Sequence, residues 1–169
     1  HLTVNISYNI DHLDTFAELM RPMKMLKNLF QYFVKGNGLL TYPASDIGVF
    51  LKTNNSVKTP NAQIHFAPGA GKYNKDGAMA PISGITASVC NLRPLSKGYI
   101  ELNSCDPKEP PKIYANYLSE KSDIKPMIEG IKKVRHIFES SSIQKFNPKE
   151  MMPSLNYQED EEIEELIKQ

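Results

Sequence analysis

The chain has 169 residues, 40% hydrophobic and 23% charged, enough for one domain whose core needs no disulfide staples. Its 20 lysines and arginines are nearly cancelled by 19 aspartates and glutamates, leaving a net charge of +1, so charge gives no ground for a nucleic-acid partner. No apolar run nears the ~20 residues that cross a bilayer, no signal peptide is visible, and Cys90 and Cys105 have neither zinc-site spacing nor the number of a disulfide scaffold.

The first run, "HLTVNISYNI", puts Leu2, Val4, Ile6, Tyr8 and Ile10 on one face of a strand. A strand beginning at His1, and a last segment "YQEDEEIEELIKQ" that is still helical in pattern where the sequence stops, lead to the expectation of a piece of a longer polypeptide. Next, "RPMKMLKNLFQYFVKGNG" repeats Met23, Leu26, Phe30 and Phe33 at helical spacing, with Pro22 suited to a first turn and Gly36 to a stop; a helix of about three turns is predicted. Strands are predicted at 46–53 ("DIGVFLKT") and 62–69 ("AQIHFAPG"), joined by an Asn-rich loop. The Gly- and Pro-punctuated stretch up to Gly84 reads as a loop, followed by a strand at 84–92.

The segment "NLRPLSKGYIELNSCDP" reads as a β-hairpin turning through Pro94 to Gly98, its second strand half-buried with Ile100 and Leu102 on one face. A short sixth strand falls in "PKIYANYL". The strongest helical pattern is "SDIKPMIEGIKKVRHIFES", which aligns Ile124, Met127, Ile128, Ile131, Val134 and Phe138, and Gly130 within it points to close packing. The acidic start and Lys168 of the last helix suit the macrodipole. Short strands with three helices in no regular alternation give an α+β fold: a mostly antiparallel sheet of about six strands with helices packed against it.

Few residues invite chemistry. "PGAGKY" fails as a phosphate loop, because the first glycine falls on Phe66 and the residue after Lys72 is Tyr73; the dinucleotide fingerprint fails at Asn74. The histidines at 1, 12, 65 and 136 share no metal-ligand spacing, so no metal is expected, and His136 sits on the polar shoulder of its helix. Both cysteines read as free thiols packed as small apolar groups. His65 points to the face opposite Ile64 and Phe66, where it either bonds a ligand hydroxyl or is a satisfied sheet histidine. Asp46 either caps a turn or binds a ligand.

The ordered run "LRPLSKGYIELNSCDPKEPPKIYANYLSEKSDIKPMIEGIKKVRHIF" resembles the C-terminal part of the glucose–methanol–choline (GMC) oxidoreductases, most closely the choline- and alcohol-oxidising members. "HLTV" is similar to the end of that family's "NLQDHL" segment and "DIGVFLKT" to its "E-x-G-x-F" strand. The resemblance implies that residues 1–169 are the substrate-binding domain of an FAD-dependent alcohol dehydrogenase or oxidase, lacking the FAD-binding domain and the C-terminal catalytic histidine, binding no FAD alone and inactive alone. Its partners are then a small alcohol and the FAD-binding domain of the same polypeptide. By the same resemblance Asp46 and His65 bind substrate, Asp46 facing a trimethylammonium group and His65 holding the hydroxyl. Pro43, Ala44 and Ser45 stand where choline oxidisers often carry rings, and there is no Trp, so an uncharged primary alcohol fits nearly as well. A lyase of the same fold and a free-standing binding module are the rival readings.

Overall fold

The computed structural model describes residues 2–11, 15–43, 45, 47–73, 79–153 and 157–168. The opening alternation forms β1 (Thr3–Asn9), and the two runs around the Asn-rich loop form β2 (Ile47–Leu51) and β3 (Ala62–Ala67). The stretch read as a loop is instead a hairpin, β4 (Ala70–Tyr73) with β5 (Met79–Ile82), and β6 (Ile85–Asn91) follows it. The remaining strands are β7 (Tyr99–Glu101), β8 (Lys112–Tyr114) and β9 (Lys149–Met152). Helices are α1 (Phe16–Leu19), α2 (Pro22–Phe30) continued by a π turn, α3 (Ile124–Phe138), α4 (Ser141–Gln144) and α5 (Asp160–Lys168). The main sheet runs β2-β3-β6-β1-β9 and is antiparallel at every pairing, the α+β layer expected. The β4–β5 hairpin defeats sequence reading because Gly71 and Pro81, both turn signals, sit opposite each other within it.

One face of the sheet makes the core. Ile6, Ile64, Ala87 and Val89 are fully buried on it, and the six apolar residues predicted for α3 are all buried against them. Ile163 and Ile167 of α5 close the outer side of α3. Gly130 lets the helix approach: a Cβ there would stand 2.4 Å from Cγ1 of Val89. Tyr8 stacks on Phe138 with ring centroids 3.7 Å apart, and its hydroxyl donates to Glu150 Oε2 at 3.1 Å. That carboxylate is otherwise held by Arg135, whose Nε and Nη2 donate to its two oxygens at 3.1 and 2.9 Å while Nη1 donates to the carbonyl of Tyr157. Burial, then the charge of Glu150, push the Tyr8 hydroxyl far above its ordinary pKa, so it stays a donor.

The predicted hairpin at residues 91–107 does not form. Strand β7 pairs with β8, not with β6, and together they make a separate two-stranded arm whose Ile100 and Leu102 are exposed rather than half-buried. The cause is Asp123, just before α3. An aspartate in that place usually caps its own helix, but this carboxylate accepts from Leu95 N (2.8 Å), Ser96 N (2.9 Å) and Ser96 Oγ (2.5 Å). Pinned there, the chain leaves β6 toward α3 instead of folding back. Gly98 then lets the arm cross the backbone of β8, since a Cβ would meet Tyr114 O at 2.1 Å. Of the two free thiols Cys90 is buried, as expected, but Cys105 is exposed in the arm's loop. His136 is exposed on α3.

Burial pushes the Asp123 carboxyl up, and the donors from Ser96 and Leu95 outweigh it and bring it below its ordinary value. Glu18 of α1 is similar: burial raises it, but bonds from Thr15 and Ser83 and from backbone N–H groups hold it at about 2 against the usual 4.5. Depressed carboxyls stabilise the fold fully above their unfolded values and lose that contribution as pH falls through the folded ones. Denaturant titrations should therefore show stability declining from about pH 4.5 toward pH 2, with a flatter profile in a Glu18→Gln, Asp123→Asn double variant; identical slopes would refute the assignment. Gly130→Ala should destabilise by about 1–3 kcal/mol through overpacking, despite a helix-propensity gain of ~1 kcal/mol. Adding Val89→Ala should recover part of the loss, a non-additivity that a double-mutant cycle measures.

Candidate functional site

The sheet face away from α3 carries mostly polar or small side chains in register. Gly48, His65, Ser88 and Asn5 form one row across β2, β3, β6 and β1. Phe50, Gln63, Cys90 and Thr3 form the next row on one side, and Ala67, Thr86, Ser7 and Met152 lie in the row on the other. Alternation produces this directly, since every residue between these points into the core. Ser88 Oγ donates to Asn5 Oδ1 at 2.7 Å, and the hydroxyls of Ser7 and Thr86 are 3.0 Å apart. Those side chains are occupied with each other.

His65 is not. It lies half-buried in the middle row, on the face opposite Ile64 and Phe66 as the sequence indicated, and its imidazole makes no hydrogen bond among the described residues. A neutral imidazole offers one donor and one acceptor, and both are available here. Space adjoins it, because Gly48 is its direct neighbour on the edge strand β2 and a Cβ at that position would meet only Gln63 Nε2, at 3.9 Å. Asp46, the other predicted site residue, lies outside the described residues, as do His1 and His12. Next to it in sequence, Ser45 Oγ donates to the carbonyl of Phe66 at 2.9 Å, closing the end of the β2–β3 pair.

Two other charged features are structural. In the Arg135–Glu150 pair all three guanidinium nitrogens donate and both carboxylate oxygens accept, and the Glu150 side chain is 3% exposed. A cavity of about 190 Å³ under the arm, lined by Leu2, Gly98, Tyr117 and Met127, has Asp123 as its acid, whose carboxylate the turn already uses. Among the described residues no three of His, Cys, Asp and Glu come together as metal ligands would. Gly71 lies within β4 and Gly69 directly before it, so the segment enters a strand rather than forming a phosphate-binding turn before a helix.

A sequence profile described as GMC oxidoreductase matches residues 94–169, from the Asp123-pinned turn through α5. The chain belongs to the GMC oxidoreductase family. An alcohol dehydrogenase [acceptor] of Pseudomonas putida is 40% identical over 140 residues, 82% of this chain and 25% of the relative. An oxygen-dependent choline dehydrogenase of Chromohalobacter salexigens is 31% identical over 170 residues, 94% of this chain and 30% of the relative. A formate oxidase of Aspergillus oryzae, a flavoprotein whose FAD is modified, superposes with a TM-score of 0.82 at 16% identity over 98% of this chain and 33% of its own, a likeness of fold. The chain thus spans about a quarter to a third of the length of the GMC proteins it matches.

The role of Gly48 follows from the geometry alone. Its φ lies outside the left-handed region and no backbone crowds it, so the fold does not need a glycine there. Gly48→Val should leave unfolding stability within about 0.5 kcal/mol or raise it slightly, as β-branched residues suit an exposed strand position. A large loss in a denaturant titration would show that Gly48 serves the fold and not the open space beside His65.

Proposed function

We propose that residues 1–169 are the substrate-binding domain of an FAD-dependent alcohol dehydrogenase or oxidase, and that the sheet face away from α3 is the wall against which the alcohol lies. The observation that carries this reading is the unbonded imidazole of His65 beside the space at Gly48, in a sheet whose other face is closed by α3. Membership of the GMC oxidoreductases and similarity to alcohol and choline dehydrogenases support it.

FAD, held by polypeptide outside this chain, supplies the hydride-accepting chemistry. This chain's residues bind and orient. His65 donates to, or accepts from, the hydroxyl of the alcohol and fixes its carbon at a set distance from the sheet; held geometry of this kind is the chief contribution a non-reacting wall can make. The space at Gly48 receives the carbon chain. Asp46, the residue before β2 in sequence, is the second residue assigned to substrate binding. Alone, this chain holds no FAD and oxidises nothing.

The face is poor in rings. In its three rows Phe50 is the one aromatic side chain among the described residues, whereas a quaternary ammonium is best held by several. An uncharged primary alcohol is therefore the substrate class this face suits.

Anaerobic flavin bleaching by alcohols in the intact flavoprotein tests the reading. His65→Ala should lower the second-order rate of bleaching by roughly 10- to 1000-fold, the loss of one to two hydrogen bonds to a reacting hydroxyl, with flavin content unchanged. Gly48→Leu should discriminate against longer alcohols while sparing the shortest. Asp46→Asn should alter choline far more than 1-butanol if a cation is the substrate, and neither greatly if it is not. Normal bleaching by the His65→Ala protein would sink the assignment of this face.

A further inference from the structure

Helix α2 is docked with its polar side inward. Asn28 is buried and donates from Nδ2 to the carbonyl of Leu19 at 3.0 Å. The apolar ridge predicted from sequence, Met23, Leu26, Phe30 and Phe33, faces outward, with Met23 80% and Phe33 77% exposed. Together with the π turn Gln31–Lys35 the helical stretch is 14 residues, 22–35, about 20 Å long, and it ends at Gly36, whose φ of +63° stops it sharply.

Charge along this stretch of the sequence is of one sign. Arg21, Lys24, Lys27 and Lys35 are exposed, and no Asp or Glu occurs from residue 19 to residue 45. By helical spacing Lys24 and Lys27 flank the ridge, and Arg21 and Lys35 lie at its two ends. No helix among the described residues is long and apolar enough to cross a membrane. Protein–protein interfaces are depleted in lysine, whereas helices lying in a lipid headgroup plane combine Phe and Leu on one side with Lys and Arg on the other.

We propose that α2 and its π turn are a bilayer-surface anchor, with Met23, Leu26, Phe30 and Phe33 inserted among acyl chains and Arg21, Lys27 and Lys35 at anionic headgroups. Each inserted side chain contributes apolar burial, and the lysines contribute an attraction that salt screens. The anchor places the domain at the lipid surface without spanning it.

Sedimentation of the intact flavoprotein with vesicles of phosphatidylcholine alone, or containing phosphatidylglycerol, tests this. The protein should partition to the phosphatidylglycerol vesicles, and added salt should weaken binding. A Leu26→Asn, Phe30→Ser, Phe33→Ser variant should bind at least about tenfold more weakly, and Lys27→Glu with Lys35→Glu should reduce both binding and its salt dependence. To separate insertion from misfolding, Phe33→Cys labelled with a polarity-sensitive fluorophore should shift to the blue on adding these vesicles. The proposal is overturned if the parent protein ignores anionic vesicles, if the triple variant binds equally well, or if the label's emission stays put. It is overturned as well if the triple variant changes flavin content or oligomeric mass in solution, which would make the ridge a protein–protein contact.

Discussion

The contact between Gly130 and Val89 governs how this domain is layered. With no side chain at Gly130, α3 settles onto β6 so closely that a methyl carbon there would overlap Val89 Cγ1, and the helix closes one face of the sheet with Ile131, Met127, Val134 and Phe138. Because strand residues alternate, closing one face so completely puts the opposite set, His65, Ser88, Asn5 and Gln63, on the side away from α3. The candidate site is thus a consequence of one-sided packing. A shift of one residue in β3 would exchange His65 with Ile64 and destroy core and site together.

Polar groups then fix the edges of that layer. Arg135 on α3 bridges Glu150 of β9 and the carbonyl of Tyr157 ahead of α5, so a single guanidinium holds the last strand and the last helix to the main one. Breaking such a pair leaves a buried charge uncompensated, at a cost of about 3–5 kcal/mol. Asp123 does the equivalent at the other end of α3, reaching back 28 residues to the amide of Leu95. Both lie in the run whose resemblance to the family was longest, and each is a residue whose partner is distant in sequence.

That distance explains what could be read in advance. Periodicity is local, so α3, its buried residues and the strands β1, β2, β3 and β6 follow from spacing alone, and so does the face on which His65 lies. The pairing of β7 with β8 depends on Asp123 claiming the amides of Leu95 and Ser96, which no pattern between residues 91 and 107 records. Strand β9 is four residues between Pro148 and Pro153, too short to alternate and bounded by residues that ordinarily argue for a loop. For His65 the sequence offers either a satisfied sheet histidine or a ligand-binding one; only the neighbouring side chains show that Ser88 bonds Asn5 and leaves the imidazole unengaged.

Helical spacing has a further blind spot, the side of a helix that meets protein. In α3 and α2 the apolar ridge is equally regular, yet one ridge is core and the other faces out. The difference lies in the opposite side: α3 carries Lys132, Lys133 and His136 there, whereas α2 carries Asn28, a residue short enough to pack and able to bond the carbonyl of Leu19. The arm of β7 and β8 also exposes large apolar groups, Ile100, Leu102 and Ile113. Over residues 97–117, however, Lys97, Lys108 and Lys112 are matched by Glu101, Asp106 and Glu109, so charge selects no partner there. Around α2 it does, because an unbroken run of bases beside an apolar ridge favours a surface that is itself anionic and deformable.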